Sequence, residues 1–396
     1  MAVESTAVFL VQRIGPYHHA RLEAFAGGRP GAVHAIEFRV ADAVYAWEPV
    51  GDEGHYSRYK SASRRELCDL LDTINPDAVV CTGYFDPEIH QAMLWAIGRK
   101  KALVVCSDST REDEIRRWSK EAFKRRVVSV FGAALVSGSR AEQYMESLGI
   151  ERKRQFRGWD VVDNDFFAER TDQVRSEGRL ASRALPVAGP YFLCVSRFVA
   201  KKNLGFLIKA YESYLTRSAA AGWPLLICGS GPLEQEIMKL ISASGLGERI
   251  KLCGFLQYQD LPLYFGFAGA VILPSLSDQW GLVVNEAMAA AVPVLVSSQC
   301  GCSPDLVRNG ENGYIFGPRN PEELAGRMAD IQGMDDARRV AMGRRSREIV
   351  SDYSPRAFAE GLERAIGCAG AGRTIRASWI ARAVLTRMAM RPIPQP

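Results

Sequence analysis

The sequence predicts an α/β protein with two Rossmann-like, doubly wound domains that face each other across a cleft. Three observations support this fold class. Short, continuous apolar runs alternate with stretches of helical periodicity, as in parallel sheets that are covered by helices on both faces. Several of these runs end in glycine or small polar residues. The length of 396 residues also exceeds what one hydrophobic core usually supports.

The first domain is predicted from four buried strands, each followed by a helical stretch. The first apolar run leads into the turn at Gly15 and Pro16, after which Leu22, Phe25 and Ala26 indicate a helix. The four runs lie at residues 7–11, 78–81, 103–106 and 134–136. We expect this domain to span residues 1–175.

The second domain is predicted from five further runs, at residues 191–195, 224–228, 250–253, 270–273 and 293–296. Residues 171–190 are rich in Arg, Ser, Gly, Ala and Pro, which favours a linker at 176–190. The second domain is then expected to span 191–350. In doubly wound sheets, ligands bind at the carboxyl ends of the strands, so the functional loops should follow these runs.

The C-terminal segment, residues 351–396, permits two interpretations. Arg373, Arg376 and Arg382 alternate with apolar residues such as Trp379 and Leu385. Such a basic amphipathic helix could bind an acidic membrane surface, or it could pack back on the first domain.

Composition limits the classes of function. A hydrophobic fraction of 47% and a charged fraction of 24% are ordinary for a globular protein. The formal charge of +5 suits anionic ligands or an acidic membrane and does not require nucleic acid. Nine cysteines, mostly within apolar runs, indicate reduced core residues. No signal-peptide pattern and no run of about 18 apolar residues is present, so we expect a cytoplasmic protein.

The most informative stretch places two acids eight positions apart. Asp278 and Glu286 are separated by a turn at Trp280 and Gly281 and by an apolar run that should open a helix. Eight helical steps would separate the acids by roughly 12 Å, which suits gripping two ends of one ligand. Burying the carboxylate of Glu286 among apolar neighbours is costly unless it is hydrogen-bonded, and a diol is a suitable partner. Backbone amides that could face a phosphate belong to Trp280, Gly281, Leu282 and Val283.

Two loops earlier in the second domain suit a diphosphate. Arg197 and Lys202 follow the run at 191–195, where cations at a strand end and a helix start can stabilise a leaving phosphate. Gly229 opens a Gly-Ser-Gly-Pro turn that allows close backbone approach, with Ser230 or Gly231 able to cap the next helix. The competing interpretations are a solvated loop and a plain strand-to-helix turn.

Together these motifs, with Pro293-Val294 and the Gly-Glu-Asn-Gly turn that begins at Gly310, resemble the retaining glycosyltransferases of family 4, which have the GT-B fold. The resemblance is strongest over residues 191–330. It implies that Glu286 holds the ribose of a nucleotide sugar and Asp278 contacts the donor sugar. It assigns the pyrophosphate to Arg197 and Lys202, and the base to Phe255 and Leu256.

The resemblance also implies the reaction: transfer of a sugar from a nucleotide-diphosphate donor with retention of configuration, without a metal or other cofactor. The acceptor, which could be a glycan, a lipid-linked molecule or a small molecule, is expected to bind the first domain. The expected acceptor residues are Gly15, Tyr17, His18, His19 and Arg21.

The chain departs from the family pattern at two positions. Asp278 stands where the family usually has Glu, one methylene longer. The family often has a histidine after a strand like that at 103–106, whereas this chain has Ser107-Asp108-Ser109-Thr110. Asp108, or His18 or His19 in the first turn, could replace that histidine.

Three alternatives stay open from the sequence. The Asp-Asn-Asp stretch at Asp163 has the form of a metal site in another glycosyltransferase fold, but a helix cap is favoured there. A nucleotide-sugar epimerase with the same two-domain architecture would act without an acceptor. A degenerate nucleotide-sugar-binding subunit would bind the donor without turnover.

Overall fold

The computed structural model describes residues 5–38, 47–48, 50–51, 54–217, 222–371 and 378–391. It divides the chain into two units, one formed by Met1–Val161 together with Pro355–Pro396 and the other by Val162–Ser354. Each unit is a parallel sheet with helical connections, which confirms the predicted fold class of two Rossmann-like domains.

The first unit has a seven-stranded sheet in the order β3-β2-β1-β4-β5-β6-β7. Its elements in chain order are β1 (Ala7–Val11), α1 (Pro16–Ala26), β2 (Val33–Glu37), β3 (Ser57–Lys60), α2 (Arg64–Ile74), β4 (Ala78–Thr82), α3 (Pro87–Arg99), β5 (Ala102–Ser107), α4 (Trp118–Val128), β6 (Ala133–Val136), α5 (Ser139–Ser147) and β7 (Gln155–Arg157). The order of the strands reverses at β1 and β4, which makes the carboxyl edge there the expected ligand position.

The second unit has a six-stranded sheet in the order β10-β9-β8-β11-β12-β13. Its elements are α6 (Asn164–Glu177), α7 (Arg179–Ser182), β8 (Tyr191–Val195), α8 (Leu204–Arg217), β9 (Leu225–Cys228), α9 (Glu234–Ala243), β10 (Ile250–Leu252), α10 (Leu261–Phe267), β11 (Ala268–Leu273), α11 (Leu282–Ala289), β12 (Val294–Ser297), α12 (Ser303–Leu306), β13 (Gly313–Phe316), α13 (Pro321–Gln332) and α14 (Asp336–Val350). Here the order reverses at β8 and β11, and all strand pairs are parallel.

The chain then returns to the first unit through α15 (Pro355–Ala371) and α16 (Trp379–Ala389). Helix α15 packs on α1 and on β5, β6 and β7, and α16 packs on α3 and α4. Of the basic residues noted in this segment, Arg373 and Arg376 lie outside the described residues. None of the helices in the described ranges combines the length and apolarity that crossing a membrane requires.

The boundary between the units differs from the expected one. It falls after Val161, and the predicted linker region contains the end of α6 and all of α7. The side chain of Asp163 accepts a hydrogen bond from the Phe166 amide at 3.0 Å, so it caps α6 as predicted. Helix α6 buries Phe167 and Thr171 and packs on α10 and α11. This packing assigns the helix to the second unit.

Candidate functional site

The predicted donor-binding residues follow strands that are neighbours at the centre of the second sheet. Arg197 and Lys202 follow β8, Gly229 follows β9, and the Asp278 segment follows β11. Phe255 and Leu256 follow β10 at the sheet edge. Because the carboxyl ends of parallel strands meet at one edge, residues that are distant in sequence lie at the same edge of this sheet.

Lys202 and Asp278 form a hydrogen-bonded ion pair between Lys202 Nζ and Asp278 Oδ2. Both side chains are 13% exposed, so the pair is largely shielded from solvent. Ser275 Oγ also donates to Asp278 Oδ2 at 3.4 Å. The cation that was assigned to the pyrophosphate and the acid that was assigned to the sugar therefore orient each other.

The turn that carries Lys202 is held in place by Asn203. This residue has a φ of 59°, in the left-handed region that Asn tolerates better than most residues. Its Nδ2 donates to the carbonyl oxygens of Pro274 at 3.1 Å and Pro318 at 2.9 Å. The Leu276 amide also donates to the carbonyl oxygen of Lys201 at 2.8 Å. These bonds tie the loop after β8 to the loops after β11 and β13.

The glycine turn after β9 packs directly against the backbone that carries Arg197. Gly229 has a φ of 138°, and a Cβ there would lie 1.8 Å from the carbonyl oxygen of Ser196. The Phe198 amide donates to the Ser230 carbonyl at 2.8 Å. Arg197 itself is half-buried between Ser196 and the buried Phe198. The glycine is therefore required for this approach of the two loops.

The predicted cap of the following helix is wrong. Helix α9 begins at Glu234 with Leu233 at the N-cap and no side-chain cap, so neither Ser230 nor Gly231 serves that role. The two residues instead contact the loop after β8, where a Cβ on Gly231 would lie 2.7 Å from the Phe198 carbonyl oxygen.

The stretch between the two acids forms a turn followed by a helix, as predicted. Gly281 precedes α11 with a φ of 103°, and a Cβ there would lie 2.6 Å from Leu273 Cδ2. Trp280 is buried, and its Nε1 donates to Asn285 Oδ1 at 2.9 Å. Leu282 and Val283 are partly exposed in the first turn of α11. Only the second half of the stretch is helical, so the spacing estimate for a continuous helix does not apply.

Glu286 lies in the middle of α11 and is buried, with 2% of its surface exposed. Its neighbours Val284, Ala287 and Met288 are buried as well. A carboxylate in such surroundings depends on hydrogen-bond donors. The burial excludes a solvated surface position for Glu286 and fits a carboxylate that accepts hydrogen bonds from specific donors.

The segment that was assigned to the base is anchored to the glycine turn. The Gly229 amide donates to the carbonyl oxygen of Gly254 at 2.7 Å, and Gly254 has a φ of 71°. Phe255 is 36% exposed and Leu256 is partly exposed. An exposed aromatic ring beside a rigid turn can provide a stacking surface for a planar base.

In the first unit, the predicted acceptor residues lie at the start of α1, directly after β1. Gly15 is the N-cap, and the Tyr17 ring lies 6.2 Å from that of Trp47. His19 Nδ1 is hydrogen-bonded to the Tyr56 hydroxyl at 3.1 Å. These side chains are partly buried.

His18 and Arg21 share an aromatic neighbour. The His18 ring lies 6.1 Å from that of Trp159, and the Arg21 guanidinium lies 4.5 Å from the centroid of the same ring. Desolvation, with the charge of Arg21 as the second cause, lowers the pKa of His18 to about 3. His18 is therefore neutral at physiological pH, a state in which it can accept a hydrogen bond from a ligand hydroxyl.

Arg21 is almost fully buried. Its Nε donates to the Val161 carbonyl at 3.0 Å, and one terminal nitrogen lies 3.5 Å from Asp160 Oδ1. Asp108, directly after β5, is near enough to act on the charge of Arg21, as is Tyr17. The structure thus brings Asp108, one candidate for the missing histidine's role, close to the predicted acceptor residues.

Several positioning residues were missed by sequence reasoning. Asn203 fixes the turn that carries Lys202, and Ser275 orients Asp278. Asn285 orients Trp280, and Asp160 orients Arg21. Each is a common polar residue in a loop or helix, and none carries a sequence signal for its long-range partner. Among the residues that the structure describes, no group of three or more His, Cys, Asp or Glu side chains could hold a metal ion.

Comparison with known proteins gives a family match that lies within the second unit. Residues 180–349, less than half of the chain, match the model of the family described as glycosyl transferases group 1. A GDP-mannose-dependent alpha-(1-6)-phosphatidylinositol monomannoside mannosyltransferase from Mycobacterium tuberculosis is 29% identical over 201 residues, which are 48% of this chain and 49% of that protein. An alpha-D-kanosaminyltransferase from Streptomyces kanamyceticus is 27% identical over 214 residues, 54% of this chain and 53% of that protein. The chain thus spans about half the length of the curated relatives it matches.

The similarity in structure extends further than the similarity in sequence. The crystal structure of Anabaena Alr3699/HepE in complex with UDP aligns with a TM-score of 0.71 and 16% identity, covering 90% of this chain and 98% of that one. At this identity the likeness establishes the fold, and it confirms that the fold is of the GT-B type.

Proposed function

We propose that this chain, whose residues 180–349 match the model of the glycosyl transferases group 1 family, is a retaining, metal-independent hexosyltransferase. It moves a sugar from a nucleotide diphosphate to a glycan, lipid-linked or small-molecule acceptor in the cytoplasm. The observation that carries the proposal is the meeting of Arg197, Gly229 and the Lys202–Asp278 ion pair at the carboxyl edge of the second sheet. Two relatives, each similar to this chain over about half of its length, are named as a mannosyltransferase and a kanosaminyltransferase.

In this proposal the second unit binds the donor. Glu286 accepts hydrogen bonds from the ribose diol, and Phe255 with Leu256 lies against the base. Arg197 and Lys202 bind the diphosphate, and the backbone amides in the first turn of α11 face one of its phosphates. Asp278, held by Lys202 and Ser275, contacts the sugar. Gly15, Tyr17, His18, His19 and Arg21 of the first unit contact the acceptor.

The proposed reaction replaces one bond at the anomeric carbon. The bond from this carbon to the leaving phosphate breaks, the acceptor oxygen bonds on the same face, and the acceptor proton passes to the departing phosphate. Arg197 and Lys202 stabilise the negative charge that grows on that phosphate, a role that a divalent metal has in other transferases. Asp108, His19 or the neutral His18 orients a reacting hydroxyl.

The first prediction concerns Arg197, one of the two cations that we propose bind the leaving diphosphate. Arg197→Ala should lower turnover by about 100-fold or more, because a preorganised donor to developing charge typically contributes that much. Nucleoside diphosphate release from a panel of nucleotide sugars, measured with and without acceptor and chelator, checks this.

The second prediction concerns Glu286. Glu286→Gln should chiefly weaken donor affinity, measured by the ligand-induced thermal shift.

The matched control is Arg338→Ala, on an exposed face of α14, which should leave turnover unchanged. Full activity of a folded Arg197→Ala variant contradicts the site. Loss of activity with chelator contradicts metal independence. Conversion of the donor without an acceptor would instead indicate an epimerase, and donor binding without release would indicate a binding subunit.

A further inference from the structure

Helix α16 uses its two faces differently. One face is buried in the core of the first unit through Ala381, Leu385 and Met388. The opposite face is exposed along its whole length at residues that are three or four positions apart: Trp379, Arg382, Ala383, Thr386, Arg387, Met390 and Arg391. The two interpretations of this segment are therefore compatible, since the helix packs on the unit and still presents a second face.

The exposed face combines positive charge with large apolar side chains. Trp379 is 79% exposed and Met390 is 70% exposed, at opposite ends of the stripe. Arg382, Arg387 and Arg391 stand between or beside them, and residues 371–396 contain no Asp or Glu. Exposing such residues on a helix that is already packed has no structural benefit, and patches of this kind usually mark an interaction surface.

A neighbouring helix repeats the pattern. Helix α4, which packs on α16, begins with Trp118 at 85% exposure, and Ile115 just before it is 88% exposed. Arg117 and Lys120 are exposed beside them. Two acidic side chains of this region are paired with cations, since Lys124 Nζ donates to Glu114 at 2.7 Å and Glu121 lies 3.5 Å from Arg116.

A cavity at the carboxyl end of α16 adds a second basic feature. Its volume is about 440 Å³. It is lined by Arg64, Arg65, Cys68, Gln91, Ala389 and Met390. Met390 belongs both to this cavity and to the exposed stripe, so the arginine-lined cavity continues the basic face of α16. The guanidinium groups of Arg64 and Arg65 are suited to a phosphate group.

We propose that the exposed face of α16, continued by the arginine-lined cavity, docks the first unit onto an anionic phospholipid bilayer. Trp379 and Met390 enter the interface between headgroups and acyl chains, where amphipathic aromatic rings are favoured. The arginines contact lipid phosphates, and anionic headgroups are attracted to a segment whose sequence, residues 371–396, contains no Asp or Glu. This deepens the proposed function by favouring a lipid-linked acceptor, but vesicle binding needs neither donor nor acceptor.

The test uses the full chain and sedimentation with vesicles. We expect binding to vesicles of phosphatidylcholine with phosphatidylglycerol at about 0.1 M salt, weak binding to pure phosphatidylcholine, and release at about 1 M salt. Arg382→Gln with Arg387→Gln should lower the partition coefficient on the order of 30-fold, the effect of two basic side chains at an anionic surface. Trp379→Ala should also lower the partition coefficient at about 0.1 M salt.

The matched control is Arg338→Gln with Arg344→Gln on α14 of the second unit, where both residues are exposed and the change in charge is the same. Equal losses in the two double variants would overturn the docking surface in favour of net charge alone. Equal binding to neutral vesicles, or retention on a polyanion such as DNA without vesicle binding, would also overturn it. Donor turnover in water-soluble assays should be unchanged in both, so a failure here is distinct from a failure of the proposed reaction.

Discussion

At the scale of single residues, the ion pair of Lys202 and Asp278 is the most consequential contact of the second unit. In the proposed site, Lys202 binds the donor phosphate. Its partner Asp278 shields the positive charge of Lys202 and repels the same phosphate. Removing the charge of Asp278 should therefore separate nucleotide binding from sugar transfer. We predict that Asp278→Asn binds a nucleoside diphosphate at least as tightly as the parent and turns over the full donor on the order of 100-fold more slowly.

Calorimetry with the nucleoside diphosphate and steady-state kinetics with the nucleotide sugar measure the two quantities. Asp278→Glu, which restores the family's usual acid, serves as the conservative partner and should recover part of the turnover. If Asp278→Asn weakens nucleotide affinity and turnover equally, Asp278 only positions Lys202 and does not contact the sugar.

Lys202 and Asp278 were both predicted from the sequence as donor-site residues, but their ion pair was not predicted. Arg197, Lys202 and Asp278 were recognisable because charged residues follow buried apolar runs, and such positions face ligands in parallel sheets. The ion pair joins residues 76 positions apart and requires β8 and β11 to be neighbours. That adjacency is a property of strand order, which apolar runs do not encode. The same reason hid the role of Asn203, whose partners lie in two other loops.

At the scale of elements, continuous apolar runs predicted strands correctly, whereas three of the four outer strands were missed. All nine predicted runs are strands. Eight of them are inner strands, which bury both faces in a parallel sheet, and the ninth, β10, is an outer strand that its apolar residues still revealed. The missed strands β3, β7 and β13 are outer strands of their sheets, and β3 reads Ser-Arg-Tyr-Lys. Strand β3 therefore lacks the apolar signal, and β7 and β13 are only three and four residues long. Only β2, which contains His34 and Glu37, is a missed inner strand.

Helix α15 offers a test of close packing at the element scale. A Cβ on Gly361 would lie 2.1 Å from the backbone oxygen of Arg157 in β7, whereas a Cβ on Gly367 meets nothing within 4 Å. Gly361→Ala should therefore push the helix off the sheet and destabilise the protein by about 2 kcal/mol or more. Gly367→Ala, in the same helix, should stabilise it by about 0.5–1 kcal/mol, because Ala has the higher helix propensity.

Chemical unfolding with a probe in the first unit measures both changes. The two substitutions add the same methyl group to the same helix, so their opposite signs isolate the steric contact. Equal effects would show that α15 is not held against the sheet as closely as the structure has it.

At the scale of the whole molecule, the first unit is built from two separate parts of the chain. It ends at Val161 and resumes at Pro355, while the second unit is continuous from Val162 to Ser354. The second unit holds its own two ends together, since Asn164 Nδ2 donates to the carbonyl oxygens of Val350 at 3.0 Å and Tyr353 at 3.2 Å. The Tyr353 ring also lies 5.8 Å from that of Trp280, beside the proposed donor site. The second unit should therefore tolerate loss of everything after Ser354.

The first unit should not tolerate that loss. Helix α15 buries Phe358, Leu362 and Ile366 against α1 and the sheet, and each such side chain contributes about 1.5–3 kcal/mol. The sum is comparable to the whole stability of a typical domain, about 5–15 kcal/mol. A chain that stops at Ser354 should thus keep slow amide hydrogen exchange in β8 and β11 and its stabilisation by nucleotide, but lose protection in β5 and β6. Retained protection in β5 would show instead that residues 1–161 form a stable unit without α15, and loss of protection in β8 would show that the second unit depends on the first.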